Sequence, residues 1–130
     1  MKASEMPRYQ MVLVMPHEKT PCATPTTYVK IGDADTPYPT TLFLKHTAYL
    51  KLERYMKQPE DGDGLAISDE AYDDGVAAGY YVPVSGLAEA RQKCAEHRCR
   101  LEGYEEVNEW WKFLDKEQQE RYIDDILEHC

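Results

Sequence analysis

The residues best suited to chemistry are carboxylates, and they are concentrated between positions 58 and 90. This stretch holds eight Asp and Glu residues and no Lys or Arg. Within it, Asp61-Gly62-Asp63-Gly64 and then Asp69 have the acidic spacing with which a calcium-binding loop begins. The later positions differ, because the ligand oxygen, turn glycine and closing bidentate Glu of such a loop are replaced by Leu65, Ala66 and Tyr72. We therefore interpret the stretch as an acidic, solvated turn that binds no metal.

Three residues of the zinc-ligand type, Cys94, His97 and Cys99, lie close together in the sequence. Structural zinc sites usually combine two short ligand pairs on turns, whereas these residues fall largely on a predicted helix without a second clear pair. We interpret Cys94 as a small core residue instead, and His97 as a residue at the C-terminal end of a helix, where a cation is favoured.

Ser85 lacks the flanking glycines of a nucleophile elbow and is interpreted as a helix cap. The sequence predicts neither a cofactor nor a catalytic residue.

Acidic side chains also recur on one side of a predicted C-terminal helix. Helix neighbours four residues apart rise about 6 Å along the axis, which is comparable to the separation of neighbouring phosphates on a nucleic-acid strand. Like charges at this spacing destabilise a helix by roughly 0.2–0.5 kcal/mol per pair. Their presence indicates either a functional role for these acids or partial compensation of the repulsion by Arg121. Tyr is enriched at protein interfaces and is interspersed with the acids. The predicted partner-binding residues are Glu60, Asp61, Asp63, Asp69, Glu70, Tyr72, Asp73, Asp74, Tyr80, Tyr81, Glu117, Glu120, Asp124 and Glu128.

The net charge of −9 is distributed unevenly along the chain. Residues 1–57 carry eight basic and five acidic groups, residues 58–90 carry only eight acidic groups, and residues 91–130 carry seven basic and eleven acidic groups. A pI near 4.9 disfavours direct nucleic-acid binding, which depends on clustered Lys and Arg. The same charge favours a basic protein surface as the partner.

Length and composition predict one folded domain over residues 1–130. Hydrophobic residues make up 42% of the chain and include ten Tyr and two Trp, which is too apolar and aromatic for a disordered segment. No apolar run approaches the ~20 residues of a membrane helix. Residues 1–7 lack the pattern of a signal peptide, so we predict a cytoplasmic protein with reduced cysteines and a flexible N-terminal arm. Residues 58–64 are predicted to form an acidic connecting loop.

The apolar patterns predict strands near residues 8–15, 27–31, 41–44 and 80–84. The last strand should lie at a sheet edge, because Pro83 cannot donate a ladder hydrogen bond. Residues 98–104 fit a short strand or an extended turn. A single helix over residues 42–57 is an alternative to a strand followed by a helix, since short apolar runs do not separate the two.

Helical periodicity and capping residues predict helices over residues 46–57, 68–79, 87–97, 105–114 and 116–129. Asp115 and Gln118 have the spacing of a capping box before the last helix. Its inner face is predicted to comprise Tyr122, Ile123, Ile126, Leu127 and Cys130. We therefore predict an α+β fold, in which a small single-domain sheet of about three to five short strands packs with three to five helices and the C-terminal part is mainly helical.

The function that these features favour is a small acidic protein-binding module. We expect an inhibitor or antagonist that occupies a basic surface of a partner, including a surface that normally holds nucleic acid. In size, acidity and lack of catalytic motifs, the chain is similar in type to antagonists that bacteriophages direct against host enzymes or defence systems. Two alternatives are a small metal-dependent enzyme with an acidic cleft lined by Asp61, Asp63 and His97, and a structural or assembly subunit.

Overall fold

A computed structural model describes residues 2–16, 24–33 and 39–130. Its strands are β1 (Met11–Val14), β2 (Thr26–Asp33), β3 (Thr40–Lys45), β4 (Gly64–Ser68) and β5 (Tyr81–Val84). Its helices are α1 (His46–Tyr55), α2 (Asp69–Ala77), α3 (Leu87–Leu101), α4 (Val107–Phe113) and α5 (Lys116–His129), and a 3-10 turn covers Ala3–Glu5. The strands form one antiparallel sheet in the order β4-β3-β2-β1-β5. The predicted α+β fold with a helical C-terminal part is confirmed.

The sheet is covered by helices on both faces. Strand β1 is apolar at every position because Val12 and Leu13 are buried on opposite faces, with exposed fractions of 2% and 0%. Val12 belongs to the core beneath α2 and the 3-10 turn, which includes Tyr28, Phe43, Ile67 and Tyr72. Leu13 belongs to the core beneath α3 and α5, which includes Val84, Ala90, Cys94 and Ile126. Helix α2 and the pair α3 and α5 therefore cover opposite faces of the sheet.

Strand β4 was missed by the sequence analysis, which predicted only a connecting loop and a helix in this region. Leu65 and Ile67 pair with Phe43 and Thr41 of β3, so β4 forms one edge of the sheet. Ile67 is buried and Leu65 half-buried, whereas Ala66 between them is exposed. This alternation is only three residues long and lies between acidic segments, which made it weak as a sequence signal.

Helix α3 is longer than predicted. The chain remains helical to Leu101 and turns at Gly103, where φ is +86°. The predicted strand or extended turn over residues 98–104 is wrong, because Cys99 extends the buried side of α3 and its thiol donates to the Tyr104 carbonyl oxygen at 3.2 Å. Before the helix, the Ser85 N–H and hydroxyl both donate to the Glu89 carboxylate, at 2.8 and 2.7 Å.

The segment predicted to be a flexible arm packs on the rest of the fold through Ala3 and Met6, while Met1 lies outside the described residues. Ala3 and Met6 are buried, and the buried Lys30 ammonium donates to their carbonyl oxygens at 2.8 and 2.6 Å. The Asp69 carboxylate accepts the Ser4 N–H and hydroxyl at 2.9 and 2.8 Å. These hydrogen bonds from Ser4 lower the pKa of Asp69. The N-terminal segment is therefore fastened at both β2 and α2.

Replacing Lys30 by Met should release this segment. Met retains the apolar stem but leaves the Ala3 and Met6 carbonyl oxygens without their shared donor, which should lower the free energy of unfolding by about 1 kcal/mol. Hydrogen exchange at the Glu5 and Met6 amides should become faster. The control is Lys45→Met, on β3. Unchanged exchange at both amides in Lys30→Met would show that Lys30 does not hold the segment.

Candidate functional site

The predicted partner-binding acids of α2 and those of α5 lie on opposite sides of the sheet. Helix α2 packs through Tyr72 on the face that contains Val12 and Phe43. Helix α5 packs through Ile126 on the face that contains Leu13. The acids of α2 and α5 therefore cannot form the single contiguous surface that the sequence suggested.

The tyrosines predicted to contact a partner are mostly occupied in packing. Tyr72 is 2% exposed, and its ring stacks between Phe43 and Tyr81 at centroid distances of 6.2 and 5.7 Å. Tyr80 meets Tyr81 edge-on at 5.0 Å, and both are half-buried. Tyr72 therefore cannot contact a partner, because its side chain is buried between α2 and the sheet.

Some acids of the 58–90 stretch also serve the fold. Asp69 binds Ser4, and the Asp63 carboxylate accepts the Glu60 N–H at 2.8 Å in the turn before β4. The remaining predicted acids of this region are exposed: Glu60, Asp61, Glu70, Asp73 and Asp74. Helix α2 therefore presents Glu70, Asp73 and Asp74 to solvent, whereas Glu60 and Asp61 lie in the turn before β4, where Glu60 also pairs with Lys57 at 3.9 Å.

The cleft suggested for a metal-dependent enzyme is not assembled by the described residues. Asp63 lines a cavity of about 70 Å³ beside α1. His97 lines a different cavity, with Cys94 and Tyr122 on the α3–α5 side of the sheet. Asp61 and Asp63 therefore share no described site with His97.

Helix α5 begins with the predicted capping box. The Gln118 N–H donates to Asp115 at 2.8 Å, and the Asp115 N–H donates to the Gln118 side chain at 3.0 Å. At 3.6 residues per turn, the four predicted acids of α5 lie within an arc of about 80°. All four are exposed: Glu117, Glu120, Asp124 and Glu128. Arg121 pairs with Glu117 at 2.5 Å, so three of these acids have no such ion pair among the described residues.

An exposed apolar ridge borders this acidic arc. Ile123 and Leu127 were predicted to face inward, yet 47% and 53% of their surfaces are exposed. The helix rests on the sheet through Ile126 and Cys130, and Tyr122 is half-buried beside them. The buried line is therefore narrower than the sequence predicted. We call the ridge and the acids together the α5 surface: Glu117, Glu120, Ile123, Asp124, Leu127 and Glu128.

The other flank of α5 borders a cleft of about 820 Å³. Its floor is aromatic, because the buried Trp110 ring of α4 meets Tyr122 edge-on at a centroid distance of 4.9 Å. Its walls are mainly polar and come from β2, α3 and α5, including Thr26, Arg98, Gln118 and Arg121. Sequence reasoning missed the cleft because its lining residues come from elements distant in the chain.

Most charged groups of the cleft have protein partners. Glu102 accepts the indole N–H of Trp110, and Asp125 accepts the Thr24 hydroxyl. Arg121 donates to Glu117 outside the cleft. The Tyr122 hydroxyl is buried without a partner among the described residues, and this burial raises its pKa. The cleft has the size of a small-molecule site, but its charges select no particular reaction.

One group of potential metal ligands is present in the described part of the chain. Ligand atoms of Asp125, Glu128 and His129 all lie within 4.8 Å of one another. The imidazole of His129 lies 3.6 Å from the Asp125 carboxylate, as expected for an i,i+4 pair on a helix. Asp125 also binds Thr24, so ordinary surface pairing explains the group.

No protein-family model, curated protein or solved structure matches this chain. We therefore infer function from the geometry of the described surfaces. None of the described helices has the length and apolar character needed to cross a membrane.

Proposed function

We propose that this protein is a non-enzymatic binding module that docks its α5 surface on a basic, partly apolar surface of a partner protein. The observation that carries this proposal is the exposure of Ile123 and Leu127 beside outward-facing acids. Core packing does not explain why two large aliphatic side chains, four residues apart on one helix, remain about half exposed to solvent. A partner helix with one apolar and one cationic side would cover both features.

The magnitudes favour a weak, salt-sensitive complex. Full burial of a Leu or Ile side chain contributes about 1.5–3 kcal/mol, and about half of each ridge residue is already buried. The ridge could therefore contribute about 2 kcal/mol in total. A micromolar affinity requires about 8 kcal/mol, so the partner must make further contacts. The acids would mainly accelerate the encounter and select basic partners.

The acid spacing also supports an antagonist role. Glu120, Asp124 and Glu128 follow one another at i,i+4, which repeats negative charge about every 6 Å along the helix. A protein surface that holds nucleic acid presents cations to phosphates at comparable intervals. Docking of the α5 surface there would exclude the nucleic acid by competition. The module would then act as an inhibitor of its partner.

A charge-matched pair of variants tests the site. The probe is a labelled synthetic helical peptide with Lys on one side and Leu on the other, and binding is followed by fluorescence anisotropy. Glu120→Lys with Asp124→Lys changes α5, whereas Glu70→Lys with Asp73→Lys changes α2. Each acid-to-Lys replacement adds two charges, so both double variants change the net charge from −9 to −5. We expect the α5 variant to weaken binding about tenfold and the α2 variant less than twofold. Equal losses would show general charge attraction and contradict the proposal, as would no loss in either.

The apolar ridge is tested at constant charge. Ile123→Ser with Leu127→Ser should weaken binding of the same peptide about tenfold, because the ridge loses most of its apolar area. Thermal unfolding should change little, since both residues are about half exposed. The control is Val76→Ser, which removes a 39% exposed aliphatic side chain on α2. Unchanged peptide affinity in the ridge variant would exclude Ile123 and Leu127 from the interface.

A further inference from the structure

Two buried thiols face each other where α5 meets α3. The sulfur atoms of Cys94 and Cys130 are 3.7 Å apart, and the residues are only 2% and 4% exposed. The Thr27 hydroxyl of β2 donates to the Cys130 sulfur at 3.1 Å. A disulfide bond is about 2.05 Å long, so its formation requires the two sulfurs to approach by less than ~2 Å. The arrangement is therefore close to that of a cystine bridge.

We propose that Cys94 and Cys130 are a redox modification site, which hydrogen peroxide converts to an intramolecular disulfide. This site is separate from the α5 surface and does not depend on the proposed binding function. The bridge would join positions 36 residues apart and fasten the end of α5 to the middle of α3.

A small cavity lies beside Cys94, next to the cleft. That residue lines a cavity of about 10 Å³ with Thr24, Arg98 and Tyr122, and these three neighbours also line the 820 Å³ cleft. A space of this size admits roughly one molecule as small as water. Hydrogen peroxide is little larger than water, whereas disulfide reagents are much larger than this cavity. The site should therefore favour peroxide over larger oxidants.

The surroundings divide the roles of the two cysteines. The hydrogen bond between the thiols lowers the pKa of Cys130, with help from Thr27, and raises the pKa of Cys94. Because the thiolate is the nucleophile, Cys130 should react first. Its sulfur attacks one peroxide oxygen, the O–O bond breaks, and the products are a Cys130 sulfenic acid and hydroxide, which takes a proton to become water.

The second step closes the bridge. The Cys94 sulfur attacks the Cys130 sulfur, the S–O bond breaks, and the hydroxyl group leaves with the Cys94 proton as a second water. Two thiols lose two electrons in total, and one peroxide is reduced to two waters. The new bond lies next to Tyr122, which also lines the cleft. Oxidation should therefore reduce the mobility of the cleft floor.

The test uses a chain in which Cys22 and Cys99 are replaced by Ser, leaving only the proposed pair. After peroxide treatment and denaturation, we expect the free thiols to fall from two per chain to none. The product should stay monomeric, lose the mass of two hydrogen atoms, yield one linked peptide containing both cysteines, and recover its thiols on reduction. Its urea midpoint should rise, because the closed loop restricts the unfolded chain. Two persistent thiols, or loss only through dimers or sulfinic acids, would overturn the proposal.

The matched control retains Cys22 and Cys99 and replaces Cys94 and Cys130 by Ser. It should form no intramolecular bridge under the same treatment. Peptide mapping of the peroxide-treated wild-type chain provides a second measurement that does not depend on any variant folding. In Cys94→Ser, a sulfenic-acid probe should label Cys130. Absence of the Cys94–Cys130 peptide from the wild-type chain, with other oxidised cysteines present, would refute the assignment.

Discussion

Replacing Trp110 by Ala is expected to lower the free energy of unfolding by about 3–5 kcal/mol. Trp110 is 1% exposed, and its ring packs edge-on against both Trp111 and Tyr122 at centroid distances of 5.8 and 4.9 Å. Its indole N–H also donates to Glu102, so the substitution leaves this carboxylate without that donor. A loss of this size is a large fraction of the 5–15 kcal/mol typical of a domain. Urea unfolding monitored by circular dichroism measures it.

The same helix provides the control for Trp110. Phe113→Ala removes another aromatic ring from α4, but 73% of Phe113 is exposed and its main described aromatic contact is Tyr104, at 5.6 Å. We expect this variant to lose about 0.5–1 kcal/mol. If the two variants were equally stable, α4 would not be anchored through Trp110, and the aromatic floor of the cleft would be incorrectly described.

Gly75→Ala should destabilise the protein by about 1–2 kcal/mol, although Ala is the better helix former. An added Cβ at Gly75 would lie 2.2 Å from the ring of Tyr81. That ring cannot move freely, because it stacks on Tyr72 at 5.7 Å and contacts Tyr80 at 5.0 Å. Overpacking should therefore exceed the gain of about 1 kcal/mol from helix propensity. Thermal and urea unfolding give the sign directly.

Two further variants identify the cause. Gly32→Ala adds the same methyl group where no atom lies within 4 Å, so it should change stability much less. Tyr81→Ala removes the obstructing ring, and adding Gly75→Ala to that background should no longer destabilise. A stabilising Gly75→Ala in the wild-type chain would show that α2 does not lie against β5 as described.

Elements with complete local signals were predictable from the sequence. The capping box of Asp115 and Gln118 and the start of α5 at Lys116 are as predicted, because these contacts join residues three apart. Ser68 likewise caps α2, accepting the Ala71 N–H at 3.1 Å. Pro83 correctly indicated an edge strand, since β5 is the last strand of the sheet. In each case the signal is a property of one residue or of residues close together in the chain.

Features that depend on distant partners were not predictable. The N-terminal segment is fixed by Lys30 and Asp69, which are 26 or more residues from Ser4. The separation of the α2 and α5 acids depends on which sheet face each helix covers, and helical periodicity contains no such information. The prediction that Ile123 faces the core failed for the same reason. Helical periodicity identifies an apolar stripe, but the elements that pack against the helix determine how much of that stripe is buried.

Amide chemical-shift mapping measures most directly where the partner binds. The isotope-labelled chain would be titrated with the Lys/Leu helical peptide at low salt. We predict that the perturbed amides cluster along α5 around Ile123 and Leu127, and that α2 amides near Asp73 remain unchanged. Perturbations centred on α2, or spread evenly over both sides of the sheet, would contradict the assignment of binding to the α5 surface.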